Sequence, residues 1–179
     1  MNFETERLIL RPWKDEDVTD LYLAAKEPAV GLPCGWAPHP DLEHSRKILK
    51  TILQNETTWA LELKETGHVV GTLSLMFPGV SELATENEAE LGAWIAVASQ
   101  GQGLIPEGAR ALLNYAFRDL ELNAVWAGYY EGNTKSCRMQ EKLGFKPVRT
   151  VEHYLVPALS EYRTLHINHL SREDWLSHE

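Results

Sequence analysis

A glycine-bearing turn in the middle of the chain is the first place where residue types and spacing suggest ligand chemistry. The residues Gln100-Gly101-Gln102-Gly103 precede a helical run that begins near Leu104. Two glycines leave no Cβ to obstruct a ligand. The first turn of the following helix has unpaired N–H groups at the positive end of its dipole. Such a turn can bind a pyrophosphate, although a tight turn without a ligand has the same pattern.

The residues around this turn exclude two better-known phosphate sites. The sequence has no Gly-x-x-x-x-Gly-Lys-Ser/Thr run, which excludes a P-loop. It also has no Gly-x-Gly-x-x-Gly followed by a ribose-binding acid on the next strand, so a dinucleotide-binding fold is not expected. Pro106 falls in the first turn of the predicted helix, where a missing N–H does little harm.

A second informative block, 131–145, contains Asn133 and Ser136 in an Asn-x-x-Ser spacing and ends in Glu-Lys-Leu-Gly-Phe. The pattern predicts a short helix over 133–143 that ends at the glycine of this run. Asn133 can cap that helix, because the side-chain oxygen of an asparagine readily accepts a hydrogen bond from a free backbone N–H in the first helical turn. A side chain that caps a helix can also face a ligand, so both interpretations of Asn133 stay open.

Two carboxylates lie at the strand predicted over 89–97. Glu90 is on the strand and Glu88 precedes it. A carboxylate can take a proton from a primary amine, directly or through water, if it lies within hydrogen-bond reach. Glu90 is the first candidate for such a base and Glu88 the second, and an exposed strand carboxylate without a catalytic role is the alternative.

The cysteine and histidine residues do not form a metal-binding or nucleophilic pattern. Cys34 and Cys137 are far apart, which predicts neither a paired-cysteine metal site nor a disulfide. Cys137 lies beside Ser136, but adjacent helical residues point away from each other, so we expect a packed thiol. His166 and His169 are on one predicted strand and face opposite sides of it. We therefore expect no metal.

Hydrophobic periodicity predicts strands and helices in an order that places these residues at element ends. Strands are expected over 7–13, 59–64, 69–77, 89–97, 125–130, 145–154 and 162–169, and helices are expected to begin near Asp15, Leu42, Leu104, Asn133 and Ser171. The proline-rich stretch 28–40 is predicted to be a loop. Trp36 and His39 in this loop could line the mouth of an acceptor site or only stabilise the loop.

Composition predicts a globular domain that binds neither nucleic acid nor membrane. The 179 residues are 44% hydrophobic with a net charge of −9, which suits a single domain over 1–179. A duplex-binding protein needs a basic face, and no apolar run is long enough to span a bilayer. The N-terminus has no signal-peptide pattern, so we expect a cytoplasmic protein. The acidic surface favours a cationic acceptor or serves only solubility.

The blocks described above resemble the GNAT superfamily of N-acetyltransferases, in particular the branch of the RimJ/RimL ribosomal-protein N-terminal acetyltransferases. The family's pyrophosphate motif is Gln/Arg-x-x-Gly-x-Gly/Ala, and residues 100–105 match it except that Ile105 stands where the family has a small residue. The 131–145 block resembles the Asn-x-x-Ser helix and Glu-Lys-Leu-Gly-Phe ending of that branch. The opening run Thr5–Pro12 resembles its first strand. Three blocks in this order are more specific than any one of them.

The resemblance implies an α+β acyltransferase fold, whose central, mostly antiparallel sheet has about seven strands, includes a splayed parallel pair and is flanked by helices. In this family the pantetheine arm of acetyl-CoA lies between the two parted strands and pairs with the main chain of the first, as in strand addition. The implied cofactor contacts are Ile95, Ala96, Val97, Gln100, Gly101, Gln102, Gly103, Leu104, Ile105, Asn133, Ser136 and Arg138.

The resemblance also implies transfer of acetyl from acetyl-CoA to a primary amine by direct attack in a ternary complex. Glu90 lies about where many members carry a catalytic glutamate, and Ser136 lies where this branch has a serine near the departing thiolate. Many members use a tyrosine as the acid, and Gln140 stands at that position here.

The implied acceptor is a protein N-terminal α-amine. A small-molecule amine, such as a polyamine, an amino acid or an aminoglycoside, is one alternative, and a non-catalytic acyl-CoA-binding sensor is another. Family membership further suggests a monomer or a homodimer.

Overall fold

The computed structural model describes residues 1–177, which contain eight strands and six α-helices. The strands are β1 (Phe3–Glu4), β2 (Leu8–Pro12), β3 (Thr58–Leu63), β4 (Val69–Met76), β5 (Glu88–Ile95), β6 (Ala124–Tyr130), β7 (Lys146–Val156) and β8 (Glu161–Ser171). The helices are α1 (Val18–Ala25), α2 (Pro28–Gly31), α3 (Leu42–Ile48), α4 (Leu104–Asn114), α5 (Thr134–Lys142) and α6 (Arg172–Ser177). Among residues 1–177, no helix has both the length and the apolar character to span a membrane.

The strands form a mixed sheet in the order β1-β2-β3-β4-β5-β6-β8-β7. The pairs β1–β2, β2–β3, β3–β4, β6–β8 and β7–β8 are antiparallel, whereas β5 and β6 are parallel. This confirms the α+β fold with a mostly antiparallel sheet and one parallel pair. The eighth strand, β1, was not predicted, because two residues are too short for an alternating pattern.

Two local predictions were wrong. The stretch 28–40 is not entirely a loop, because it begins with α2, where Pro28 occupies the first helical turn after the extended Glu27. A proline is favourable there, since its φ suits the helix and its missing N–H has no helical partner. The strand predicted over 89–97 ends at Ile95, and a 3-10 turn follows over Val97–Ser99.

The described residues group into two compact units. The first consists of Met1–Ser74 and Ala93–Ala111. The second consists of Leu75–Gly92 and the chain from Leu112 onward. A buried cluster of the first unit contains Trp13, Val18, Leu21, Ala25, Leu49, Leu53, Ala60 and Val69. Among the most deeply buried apolar residues of the second unit are Ala89, Phe117, Val125, Ile167 and Leu170.

His39 is a buried, uncharged histidine of the first unit. Its side chain is almost fully enclosed, with the residue only 7% exposed, and its Nδ1 lies 2.7 Å from the Oγ of Ser45. The ring also makes an edge contact with His44 and lies 5.5 Å from the ring of Trp36. Burial, and secondarily repulsion by His44, lower the pKa of His39 to about 4. These contacts are those of a residue that packs its own segment.

The His39 environment predicts a loss of stability in acid. Since the folded pKa is lower than that of the unfolded chain, stability falls as the pH drops from about 6.5 to about 4, by about 3 kcal/mol in total. The variant His39→Gln cannot titrate and should lack this part of the loss. Urea unfolding at several pH values measures it, and His68→Gln, whose side chain is 70% exposed, is the control that should keep the loss. Equal pH slopes for His39→Gln and the wild type would contradict the prediction.

Candidate active site

The turn before α4 presents main-chain amides at an open surface of the first unit. Gly101 and Gly103 have φ values of +75° and +77°, a conformation that side chains other than glycine rarely adopt. A Cβ built on Gly101 would have no neighbour within 4 Å, so the space beside it is open. Glu107 donates its N–H to the Gly103 carbonyl at 3.1 Å, and amides in the first turn of a helix have no partner within that helix. This arrangement suits an anion such as a diphosphate.

Ile105 is the position at which the turn departs from the family motif. Its residue is 8% exposed and the neighbouring Leu104 is 2% exposed, so both side chains belong to the interior. The larger side chain at position 105 is therefore accommodated by the core. The open face of the turn is formed by Gly101, Gln102 and Gly103, all of which are exposed.

An ion pair links this turn to the start of the chain. The Arg7 guanidinium donates to the Gln102 carbonyl at 2.9 Å and to Glu107 Oε2 at 2.7 Å. Glu107 Oε1 accepts from the Arg7 amide at 2.8 Å and from the Thr5 hydroxyl at 2.5 Å. Burial alone would raise the pKa of Glu107, but the hydrogen bonds from Thr5 and Arg7 lower it. The sequence carries no signal for this contact, because Arg7 and Glu107 lie 100 positions apart.

The two glutamines of the turn bind backbone carbonyls of their own segment. Gln100 Nε2 donates to the Ile95 carbonyl at 3.3 Å, and Gln102 Nε2 donates to the Ala98 carbonyl at 2.9 Å. The N–H of Ala96 donates to the Val70 carbonyl at 2.7 Å, so this amide has its partner within the chain. The amide groups of both glutamine side chains are therefore engaged within the turn segment. A ligand at this turn would bind its main chain.

In the second unit, α5 begins with a cap that positions Ser136. Asn133 is the N-cap residue, and its Oδ1 accepts from the Ser136 N–H at 3.2 Å. The half-buried Ser136 hydroxyl accepts in turn from Gln140 Nε2 at 3.1 Å. Gln140, which was predicted only as a replacement for the tyrosine of many family members, is 1% exposed and is therefore a buried part of the site. Arg138 is exposed on the same helix.

Cys137 shares its surroundings with a tyrosine. Its thiol donates to Glu141 Oε1 at 3.7 Å. A hydrogen bond with Cys137, followed by burial, raises the pKa of Tyr129 to about 12. The ring of Tyr129 stacks on His166 at 4.9 Å. Within residues 1–177 there is no group of three or more His, Cys, Asp or Glu residues that could hold a metal ion.

Glu90 is a half-buried carboxylate that has one hydrogen-bond donor among residues 1–177. The Ser81 hydroxyl donates to Glu90 Oε2 at 2.6 Å, and it accepts in turn from the amides of Leu83 and Ala84 at 3.0 Å. Burial, together with repulsion by Glu82, raises the pKa of Glu90 above its usual range, although the Ser81 bond opposes this. A carboxylate with a raised pKa is a stronger base.

Glu88 is held in the opposite way. Its Oε2 accepts from the Thr85 amide at 2.9 Å, from the Thr85 hydroxyl at 2.8 Å and from Trp126 Nε1 at 2.9 Å. Burial alone would raise the pKa of Glu88, but these hydrogen bonds lower it. Glu90 is therefore better suited than Glu88 to take a proton.

The parallel pairing of β5 with β6 is short and ends beside Glu90. The paired residues are Glu88 with Ala124, Ala89 with Val125 and Glu90 with Trp126. β6 continues to Tyr130, and its residues pair with β8 throughout. Glu90 therefore lies in the last of these three pairs.

Comparison with known proteins identifies the class of protein that has this fold and these features. Residues 7–146 match the acetyltransferase (GNAT) domain. Because the match covers well over half of the chain, the protein belongs to the GNAT acetyltransferase family and is an acyltransferase.

Individual relatives agree with this assignment. The chain is 28% identical over 156 residues to the uncharacterized N-acetyltransferase p20 of Bacillus licheniformis. The aligned region covers 84% of this chain and 85% of p20. A GNAT-family acetyltransferase from Bacillus anthracis has the same fold, with a TM-score of 0.85, 20% identity and coverage of 97% and 99%. The ribosomal-protein-S5-alanine acetyltransferase from Vibrio fischeri gives a TM-score of 0.75 at 19% identity and covers 98% of each chain.

The bond between Ser81 and Glu90 can be tested directly. The variant Ser81→Ala should raise the pKa of Glu90 further, because it removes the one hydrogen bond that lowers it. Carboxyl-carbon NMR during a pH titration measures this shift. The Glu88 signal serves as the internal control and should titrate as in the wild type. An unchanged titration of Glu90 in the variant would contradict the assigned contact.

Proposed function

We propose that this chain transfers the acetyl group of acetyl-CoA to a primary amine by direct attack in a ternary complex. We further propose that it does so as a single domain over 1–179 in the cytoplasm, without a metal, as a monomer or homodimer. The observation that carries the proposal is the exposed turn 101–103, with two left-handed glycines before an eleven-residue helix. Membership of an acetyltransferase family supports the reaction type.

The turn fits the diphosphate of coenzyme A by its chemistry. A diphosphate is an anion that favours main-chain N–H groups at the positive end of a helix. A Cβ on Gly101 or Gly103 would be strained by the positive φ, so these positions suit glycine. When bound, acetyl-CoA supplies an activated thioester carbonyl. The exposed Arg138 of the second unit remains a proposed contact for the cofactor.

Glu90 is the proposed base for the amine. An α-amine has a pKa near 8, so much of it is protonated at neutral pH and must lose a proton before it attacks. Burial brings the pKa of the Glu90 carboxyl closer to the pKa of the amine, and this improves the proton transfer from the amine to Glu90. The Ser81 hydroxyl keeps Glu90 Oε2 in place.

Ser136 is the proposed hydrogen-bond donor for the departing sulfur. It lies in the first turn of α5, where the helix dipole favours a negative charge such as a thiolate. A serine hydroxyl is a weak acid, so its role is a hydrogen bond to the sulfur. Asn133 caps the same turn and holds the Ser136 amide.

We propose a protein N-terminal α-amine, of the ribosomal-protein type, as the acceptor. The similarity to a ribosomal-protein-S5-alanine acetyltransferase supports this choice at the level of the fold. The net charge of −9 also favours attraction of a basic protein or a cationic amine.

Turnover with different amines tests the proposed function. The protein is incubated with acetyl-CoA and either peptides with a free N-terminal alanine or small amines, and thiol release is followed against a control without amine. We expect release with the peptides and little with polyamines, amino acids or aminoglycosides. Release with small amines alone would contradict the proposed acceptor. Cofactor binding without release for any amine would identify a sensor and contradict the proposed reaction.

The pH dependence of the rate tests Glu90. As the base, Glu90 must be ionised, so kcat/KM should rise with pH through a pKa above that of an ordinary glutamate. Glu90→Gln should lower kcat/KM by about 10²–10⁴-fold and remove this acid limb. Glu88→Gln is the matched comparison and should keep the limb. A Glu90→Gln profile with an unchanged acid limb would show that another group titrates.

A further inference from the structure

The side-chain amide of Gln140 makes three hydrogen bonds inside the second unit. Its Nε2 lies 3.1 Å from the Gly128 carbonyl and 3.1 Å from Ser136 Oγ. Its Oε1 accepts from Asn168 Nδ2 at 2.8 Å. Gln140 and Asn168 are 1% and 5% exposed, so water does not compete for these bonds. Both amide hydrogens of Gln140 and its oxygen are thus engaged.

The orientation of this amide follows from its neighbours. The Gly128 carbonyl can only accept, so the nitrogen of Gln140 must face it. The oxygen then faces Asn168, which must donate with its own nitrogen. A reversed amide would place the oxygen of Gln140 against the oxygen of Gly128. The main chain of Asn168 is held on β8, where it pairs with Ala127 of β6 and with Pro147 of β7.

The fixed amide decides how the Ser136 hydroxyl is used. Gln140 offers Ser136 an N–H, so the Ser136 oxygen accepts and its own proton is not used in that bond. Within residues 1–177, this is the one hydrogen bond that the hydroxyl makes. The Ser136 proton is therefore left to donate to a ligand.

The contact with Gln140 also improves the hydroxyl as a donor. When an O–H donates, negative charge builds up on its oxygen, and an N–H that already points at this oxygen stabilises that charge. If the side chain at position 140 could also accept a hydrogen bond, the Ser136 hydroxyl could donate its proton to that side chain instead of to a ligand. The amide of Gln140 has no acceptor on the side that faces Ser136.

We propose that Gln140, oriented by Asn168, is a positioning residue that keeps the Ser136 hydroxyl directed as a donor toward the departing sulfur. This inference rests on the proposed function. In the step itself, the bond between the amine nitrogen and the acetyl carbon forms and the carbon–sulfur bond breaks. The electron pair leaves on sulfur, which the Ser136 O–H stabilises by a hydrogen bond. The ammonium proton passes to Glu90 and then to water before the attack, a second proton leaves the nitrogen for water as the amide forms, and the released thiolate takes one proton from water.

A double-mutant cycle tests the inference. Gln140→Met keeps the approximate volume but removes the amide, and Ser136→Ala removes the hydroxyl. Each single variant should lower kcat about tenfold with acetyl-CoA affinity unchanged, because Ser136→Ala removes the hydrogen bond to the departing sulfur and Gln140→Met removes the contact that directs it. If Gln140 acts through Ser136, the double variant should be no slower than Ser136→Ala alone.

A second variant covers the case in which Gln140→Met folds poorly. In Asn168→Asp the carboxylate can only accept and faces Gln140 Oε1, while the Gly128 carbonyl still requires the Gln140 nitrogen, so no orientation of the amide satisfies both neighbours. The amide should lose its fixed orientation toward Ser136, and kcat should fall toward the level of Ser136→Ala. Asn114→Leu is the stability control in the same unit, because it removes a hydrogen bond from Trp175 Nε1 and should lower Tm without lowering kcat.

The outcomes separate the inference from the proposed function. If the wild type turns over but Gln140→Met and Asn168→Asp keep its kcat, the positioning role is wrong while the proposed function stands. The same conclusion follows if kcat of the double variant falls by the product of the two fold-changes that Gln140→Met and Ser136→Ala cause singly. If the wild type binds acetyl-CoA and releases no thiol with any amine, the proposed function itself fails, and the positioning role fails with it.

Discussion

Main-chain N–H groups at the start of α4 are the feature on which the proposed chemistry depends, because a fixed dipole end can hold a diphosphate without a charged side chain. The turn that exposes these groups needs two residues in a left-handed conformation, and Gly101 and Gly103 supply them. Arg7 donates to the Gln102 carbonyl of the turn and also pairs with Glu107, which anchors the turn to the start of the chain. The two glycines therefore permit the backbone conformation of the turn, and the Arg7–Glu107 ion pair stabilises it.

In the second unit, neighbouring polar groups determine what each candidate catalytic group can do. Three donors stabilise the ionised form of Glu88, whereas Glu90 has a single donor and a raised pKa. The Ser136 oxygen is engaged as an acceptor, which leaves its proton to donate. The assignment of roles thus depends less on residue type than on the hydrogen bonds around each side chain.

Local patterns in the sequence predicted much of this structure, and long-range contacts did not follow from them. The glycine turn, the Asn133 cap, the periodicity of α4 and the glycine that ends α5 involve residues a few positions apart, so the sequence shows them directly. The Arg7–Glu107 pair spans 100 positions and the Gln140–Asn168 pair spans 28. Periodicity reports which face of an element is apolar, and it does not report which polar side chains meet across the fold.

The most direct test of the diphosphate site is calorimetry with coenzyme A and with pantetheine, which has the thiol-bearing arm but no diphosphate. If the amides of residues 101–105 hold the diphosphate, coenzyme A should bind at least about tenfold more tightly than pantetheine, a difference of about 1.4 kcal/mol. Gly103→Val should reduce that difference and leave pantetheine binding unchanged. Equal affinity for the two compounds, or no association with coenzyme A, would contradict the central claim.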